Sequence, residues 1–549
     1  MSGDSGTTRR SASLDRRRPS LDRRGLSLDR RRPSLDRRRL LQSLLAAGLL
    51  PVAGVLRAQA APRFSADPFS LGTASGYPTP GGMVLWTRLA PAPHAAGGGL
   101  DPLPIAVRWE VAADEAMKDI VQSGSAIADP AMAHAVHVEV RGLAPGRWYW
   151  YRFSAGDAQS AVARTRTAPA AADAAAGLRL AFASCQQFEQ GWFTAHRHLA
   201  ADTPDLVAFL GDYIYESSWG RDHVRKHNYP EPYSLEDYRL RYALYKGDPD
   251  LQRAHAAAPW VLTWDDHEVD NDYANDRPED GMPAEQFILR RAAAYKAFYE
   301  HQPLPASMRP VGPDMRIHTR QDWGALTRLY LLDGRQYRSH QACPRRAGGS
   351  NVVDVADCAA LADPAMSMLG REQEAWLDGE FAASRARWNL IAQATLMAQL
   401  DRGAPDKGKR IWTDGWDGYP AARRRLLESL VRAKTANPVV LGGDVHMHWV
   451  ADLKTDFDDP ASPVVATEFT GTSITSQAMA QKAVEALLAR NAHLRYGRSD
   501  RRGYVRMEVG AQSIRADLRG VDSVKTPDSP VRTLASFTVE DGKPGAKPA

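Results

Sequence analysis

The chain has 549 residues, 44% apolar and 25% charged, long enough for two or more cores and composed like a soluble globular protein rather than a disordered one. Its formal net charge of +5 sits at the front: residues 1–60 hold 14 Arg against 5 Asp, which leaves 56 basic and 60 acidic side chains after residue 60. That balance excludes a nucleic-acid-binding body, which needs a basic stripe of its own.

Residues 13–40 repeat every seven, from Ser13-Leu14-Asp15-Arg16-Arg17-Arg18-Pro19 through copies starting at Ser20, Ser27 and Ser34. Such a segment has too few apolar groups to bury, so no fold is assigned to it. The last copy runs into Arg37-Arg38-Arg39-Leu40-Leu41-Gln42, a twin-arginine pattern, then an apolar stretch to Leu56 and the small-residue site Ala58-Gln59-Ala60. Residues 1–60 therefore read as a twin-arginine signal peptide with a disordered heptad-repeat leader, cut after Ala60. Leu40 to Leu56 is 17 residues and contains Pro51, whereas a spanning helix needs ~20, so no stable membrane span is expected. The mature protein should be periplasmic or secreted.

Residues 61–170 change to short alternating segments: Met83–Arg88, Ile105–Val111, Ala135–Val140 and Trp148–Phe153, separated by Gly and Pro turns. This spacing predicts a small all-β sandwich, and Gly142-Leu143-Ala144-Pro145-Gly146 before Trp148 looks like a fibronectin-III strand entry. Alternating aromatics on the Trp148–Phe153 strand suit one face of a core better than a ligand-stacking surface. An alanine-rich linker, 168–176, leads into the second part, residues 171–549.

There, four apolar runs each end in metal-competent side chains. Leu178–Ala183 runs into Ser184-Cys185-Gln186, and Leu206–Leu210 into Gly211-Asp212-Tyr213-Ile214-Tyr215. Trp260–Trp264 runs into Asp265-Asp266-His267-Glu268, and Pro438–Gly443 into Asp444-Val445-His446-Met447-His448. Asp212 has two oxygens and can bridge two cations; Tyr215 becomes a ligand only beside a strong Lewis acid. Taken alone, the Asp212 stretch also reads as an ordinary turn Asp with a packed Tyr. Between the strands lie helical patterns at Pro283–His301, Gly370–Arg385 and Ala421–Ala433, so the second part is expected to be layered α/β.

These strand-end signatures resemble the calcineurin-like metallophosphoesterases, and more closely the PhoD-type alkaline phosphatases, in which the first Asp is a Cys. Thr263-Trp264-Asp265-Asp266-His267-Glu268, Leu332-Asp333-Gly334-Arg335-Gln336-Tyr337-Arg338-Ser339 and Gly415-Trp416-Asp417-Gly418-Tyr419-Pro420 carry the likeness further, and it covers most of the chain after residue 66. The resemblance implies a four-layer αββα metallophosphoesterase sandwich after the fibronectin-III or Ig-like domain. It also implies one ferric ion on Cys185, Asp212, Tyr215 and His446, with Asp212 bridging to a site that takes Asp266 and Asp444. Carboxylates at 266 and 444, where the wider superfamily has Asn and His, favour one or two calcium ions there over zinc or manganese. Gln393 is a stand-in for a missing His, and His448 is either a further member of the cluster or a packing residue.

On this reading, His267 acts on the leaving group or anchors phosphate, and Arg335, with Arg338 behind it, offers a forked donor to phosphate; a buried ion pair is the other reading of both Arg. Three Cys occur, at 185, 343 and 358. If Cys185 is a ligand the other two can pair after export; a Cys185 disulfide is the alternative.

The implied function is a secreted metal-dependent phosphatase that hydrolyses monoesters, with diesters in addition, by metal-activated attack of water on phosphorus. The alternatives are a phosphodiesterase for teichoic-acid or phospholipid head groups and a non-catalytic wall- or glycan-binding protein. Expected partners are small-molecule phosphate esters and the twin-arginine export machinery, with no nucleic-acid scaffold role, for a monomeric chain.

Overall fold

The computed structural model describes residues 62–173, 177–345, 348–404 and 407–549. The leader with its twin-arginine pattern, and residues 174–176 of the alanine-rich linker, lie outside them.

Two large sheets carry the chain. One has ten strands, in the order Lys543–Pro548, Val531–Glu540, Ser513–Val521, Arg502–Val509, Leu178–Ala183, Leu206–Leu210, Trp260–Thr263, Thr73–Thr79, Gly82–Arg88 and Ala135–Val140. The other has seven, in the order Thr319–Trp323, Thr327–Leu331, Trp388–Ala392, Pro438–Gly442, Val464–Thr470, His448–Lys454 and Leu494–Arg498. The central strands of each run parallel. Central parallel strands are covered on both faces, hence the near-continuous apolar runs. All five residues of Leu206–Leu210 are buried, and each Leu, Val or Phe side chain so buried stabilises by roughly 1.5–3 kcal/mol.

The period-2 geometry of the strands sorts their side chains into two cores. Leu390, Ala392, Val439 and Leu441 join Leu180, Phe182, Val207 and Phe209 of the other sheet in one cluster. Their neighbours Ile391 and Val440 pack instead with Leu377 and Phe381 of helix Arg371–Ala383 and Leu427 and Leu430 of helix Pro420–Ala433. These helices and Ala284–His301 stand where the sequence pattern put them. The Ser217–Asp250 segment divides. Its second half forms helix Leu235–Lys246, opened by a Ser234/Asp237 capping box and carrying Tyr238, Tyr242 and Tyr245 into the core.

At the front, Ile105–Ala112, Ile120–Ala128, Trp148–Ala155 and Ala158–Gln159 form a separate sheet, which Ala163–Arg166 joins by pairing with Trp148–Ala155. Tyr149, Tyr151 and Phe153 point into a core shared with Met83, Leu85, Val136 and Val138. The aromatics are thus one face of a core. The strands opposite them belong to the ten-stranded sheet: Thr73–Thr79 pairs in parallel with Trp260–Thr263 at Gly76. A Cβ on Gly76 would lie 2.5 Å from Pro303 O and 2.7 Å from Trp260 O, so only glycine permits that junction.

Cys343 and Cys358 form a disulfide, and Cys185 is free and buried. No helix among the described residues is long and apolar enough to cross a membrane.

Candidate active site and metal centre

The strand-end motifs meet because the parallel strands of both sheets end side by side. Leu178–Ala183 delivers Cys185, Leu206–Leu210 delivers Asp212 and Tyr215, Trp260–Thr263 delivers Asp265 to Glu268, and Pro438–Gly442 brings Asp444 and His446 from the other sheet. Gly443 shows how closely the sheets approach: a Cβ there would lie 2.4 Å from Ser184 Oγ.

Four of these residues stand on left-handed backbone, Cys185 at φ 60°, Asp212 at 56°, Asp444 at 64° and His446 at 58°. Such conformations cost of order 1–3 kcal/mol each and persist where the surroundings impose them. At Asp212 the imposing group is Glu268, whose carboxylate accepts the N–H groups of Asp212 at 3.1 Å, Tyr213 at 2.5 Å and Asp265 at 2.8 Å.

The Tyr215 hydroxyl is the hub. It donates to Asp212 Oδ2 at 2.7 Å, lies 3.3 Å from His446 Nε2 and accepts from Ser476 Oγ at 2.8 Å. His446 Nδ1–H donates to the Gln477 carbonyl at 2.7 Å, which leaves the Nε2 lone pair facing Tyr215. Donor atoms of Cys185, Asp212 and His446 lie within 4.8 Å of one another; so do those of Asp212, Asp266 and His267, and those of Asp266, Asp272 and Asp414. Asp444 belongs to none of these three groups among the described residues, but it lines the same cavity and its Oδ2 accepts from Thr395 Oγ1 at 2.5 Å.

Burial pushes the Cys185 thiol and the Tyr215 phenol well above their ordinary values, and the charge of Asp212 adds to both. Burial also raises the Asp212 and Asp444 carboxyls. For Asp266 burial is outweighed by Arg335 and His267, which hold its carboxyl below the usual range. For His267 burial opposes the charge, yet Glu216, Asp266 and Asp212 raise the imidazole well above 6.5; its Nδ1 meets Glu216 Oε2 at 2.7 Å.

Asp212 Oδ1 is buried without a hydrogen-bond partner among the described residues. An orphan oxygen among acids whose ionisation burial disfavours without a counter-charge is a place a cation fits. Thiolate, phenolate and neutral imidazole are donors that suit iron, and the carboxylate groups suit a hard divalent ion. Above them opens a cavity of about 700 Å³ lined by Asp212, Trp219, Asp266, His267, Asp444 and His446 among others. Trp219 stacks on His446 with ring centroids 5.7 Å apart and planes 11° from parallel.

A family model described as PhoD-like phosphatase matches residues 180–518, and one described as PhoD-like phosphatase, N-terminal domain, matches residues 56–169. The chain belongs to the PhoD-like phosphatase family. It is similar to alkaline phosphatase D of Bacillus subtilis (strain 168), 43% identical over 505 residues, which cover 90% of this chain and 84% of the relative. A solved PhoD structure matches with a TM-score of 0.84 at 42% identity, over 89% of this chain and 93% of that one. This PhoD-like phosphatase is therefore a phosphoric ester hydrolase of the alkaline phosphatase D type, with a mixed α/β fold.

Within the PhoD-like phosphatase, Arg335 corrects the sequence reading. Its guanidinium is fully buried, with Nε on Asp265 Oδ1 at 2.5 Å, Nη2 3.5 Å from Asp266 Oδ2 and 2.7 Å from Asp414 Oδ2, and Nη1 on Asp414 Oδ1 at 3.0 Å. It does not line the cavity. Three buried carboxylates claim the fork expected to meet phosphate, so it holds Asp266 in place from behind. Arg338 is buried likewise, on Asp414 at 2.9 Å. Gln393 accepts from Thr395 N at 3.0 Å and Trp416 Nε1 at 3.1 Å, which shapes the turn that presents Thr395 to Asp444. His448 accepts from Thr472 N at 3.1 Å and packs within its strand.

Residues without an assigned role in the sequence reading are Glu268, Asp272, Asp414, Ser476 and Trp219. The acid run from Asp265 to Asp272 was a signal for the first two. The others come from loops whose positions only the fold determines.

Proposed function

We propose that this chain is an exported metal-dependent phosphatase that hydrolyses phosphate monoesters, and diesters in addition, for phosphate scavenging. The observation that carries the reading is the convergence of Cys185, Asp212 and His446 on one 4.8 Å cluster, with the Tyr215 hydroxyl bonded to Asp212 beside His446, at the floor of the cavity. Cys185, Asp212, Tyr215 and His446 would hold iron, and Asp212, Asp266 and Asp444 one or two calcium ions. When bound, the cations would supply Lewis acidity, acidifying a water and absorbing charge that builds on the phosphoryl oxygens. The chain's own part is to orient and to move protons. His267, fixed by Glu216, faces the cavity and is placed to protonate the departing alkoxide. Arg335, Glu268 and Thr395 hold the carboxylates in register.

The core shared by both sheets supports the four-layer αββα arrangement for residues 171–549, and the aromatic core near the front supports an Ig-like sandwich within 61–170. Export is proposed through the twin-arginine pattern at Arg37–Gln42.

Elemental mass spectrometry of the mature protein tests the metal reading. About one iron with one or two calcium per chain is expected, and Cys185→Ala and Asp212→Ala should each lose metal and turnover. Zinc or manganese alone, or full turnover by either variant, would sink it. A second reading, in which diesters are the preferred substrate, is favoured by the breadth of the cavity, where Tyr233 and Trp412 also line the wall. Matched mono- and diesters, compared by kcat/KM, separate the two.

A further inference from the structure

A second cavity, of about 510 Å³, shares no lining residue with the catalytic one. It opens beside Gln336 and Tyr337, the residues that follow Arg335, and the first turn of helix Arg371–Ala383 forms part of its wall. That helix has 13 residues and no side-chain cap, so the N–H groups of Arg371, Glu372 and Gln373 lack intrahelical partners and the positive end of its dipole faces the cavity. Gly370, at φ 74°, makes this possible: a Cβ there would lie 2.6 Å from Tyr337 Cβ.

Two further groups that line the cavity carry unpaired polar atoms. Arg291 is 4% exposed and His318 9%, and neither Arg291 Nε nor His318 Nδ1 has a hydrogen-bond partner among the described residues. Arg316 and Arg371 also line the cavity; both are exposed, and neither guanidinium has a hydrogen bond or ion pair among the described residues. His318 stands between two rings, 5.1 Å from Trp376 and 6.0 Å from Tyr337 between centroids, and gives the cavity an aromatic wall. A further groove of about 310 Å³ shares Arg316, His318 and Trp376 with it, so the space continues past one ligand group. Two acids also line the cavity, Asp314, which lies 3.6 Å from Arg291 Nη2, and Glu372. Against three guanidiniums and the helix end, the balance remains positive.

We propose that this cavity binds an organic phosphate apart from the catalytic centre, with the phosphate on the helix N-terminus between Arg316 and Arg371 and a ring against Trp376 and His318. The volume suits a ligand larger than inorganic phosphate, which would leave the aromatic wall uncovered.

Phenylphosphonate is a suitable probe, since its C–P bond survives a phosphoric ester hydrolase. Calorimetric titration of the metal-loaded mature enzyme should show two sites per chain. Asp212→Ala should lose the catalytic site and keep the second. The double variant Arg316→Ala/Arg371→Ala should weaken the second site by about tenfold or more, with unchanged thermal stability and unchanged kcat/KM on a small ester. Glu372→Gln should tighten it. A single site in the wild type, or a second site that the arginine variants leave untouched, would overturn the proposal. Because Asp212→Ala reports on this cavity without turnover, failure here is distinguishable from failure of the catalytic reading.

Discussion

Glu268 Oε2 accepts the backbone N–H of Asp212 at 3.1 Å, so the residue at the centre of the donor cluster is held from behind by an acid that does not line the cavity. Glu268→Ala leaves the N–H groups of Asp212, Tyr213 and Asp265 buried without an acceptor. Each such group costs about 1–3 kcal/mol, and the three are not additive. A loss of about 3 kcal/mol is expected, together with loss of metal. Glu268→Gln, which keeps one acceptor oxygen, should recover part of both. Thermal denaturation and metal analysis of the same samples check this; normal metal content in the alanine variant would remove Glu268 from the positioning role.

Trp219 stacks on His446 at the cavity wall. Aromatic pairs of this kind are worth about 0.5–1.5 kcal/mol, a factor of roughly two to ten. Trp219→Ala should therefore weaken metal retention at His446 by about that factor, and Trp219→Phe should restore it. Metal affinity unchanged in the alanine variant would remove Trp219 from the support of His446.

The Cys343–Cys358 disulfide closes a loop whose Ser350 N–H donates to Asp272 Oδ2 at 3.1 Å. The double variant Cys343→Ser/Cys358→Ser should lose about 3 kcal/mol by the loop-entropy model. It should also lose activity under conditions where it remains folded, because the Asp272 carboxylate loses its support. Melting and activity measured on the oxidised wild type and the variant decide both parts.

Glu468, wholly buried, gives a pH signature away from the donor cluster. Burial raises its carboxyl from 4.5 to about 7, while the N–H groups of Met397 and Ala398, each at 2.7 Å, pull the other way. A folded-state value above the unfolded one means that the folded protein holds the proton more tightly. The contribution is complete below pH 4.5 and is lost as pH rises through about 7. The stability of wild type relative to Glu468→Gln should thus fall by about 3 kcal/mol over that window and level off above it. Denaturant titrations at several pH values test it; a constant difference would mean that folding does not shift the Glu468 carboxyl.

What the sequence made legible was whatever the chain encodes locally. Leu206–Leu210 ending in Gly211-Asp212 announces a buried strand and its functional end within seven residues, and the same holds for the runs before Cys185, Asp266 and Asp444. What stayed hidden depends on contacts between distant segments. Ser476 reaches Tyr215 across 261 residues, and Arg335 meets Asp414 across 79. Arg335 stays between two readings for this reason: a fork flanked by a phosphatase motif suits phosphate or a buried ion pair until the three carboxylates around it are seen. The front strands were read as a sandwich on their own, because no local pattern records that Tyr77 donates to Leu262 O, 185 residues on.

That continuity at Gly76 and Trp260 has a practical consequence. A chain trimmed to residues 171–549 would not be a smaller phosphatase but a sheet with a raw edge, its Trp260–Thr263 strand offering unpaired N–H and C=O groups to any neighbouring chain. Expression of the trimmed chain alone should yield aggregate, and the front strands supplied as a separate polypeptide would have to find that edge before another copy did.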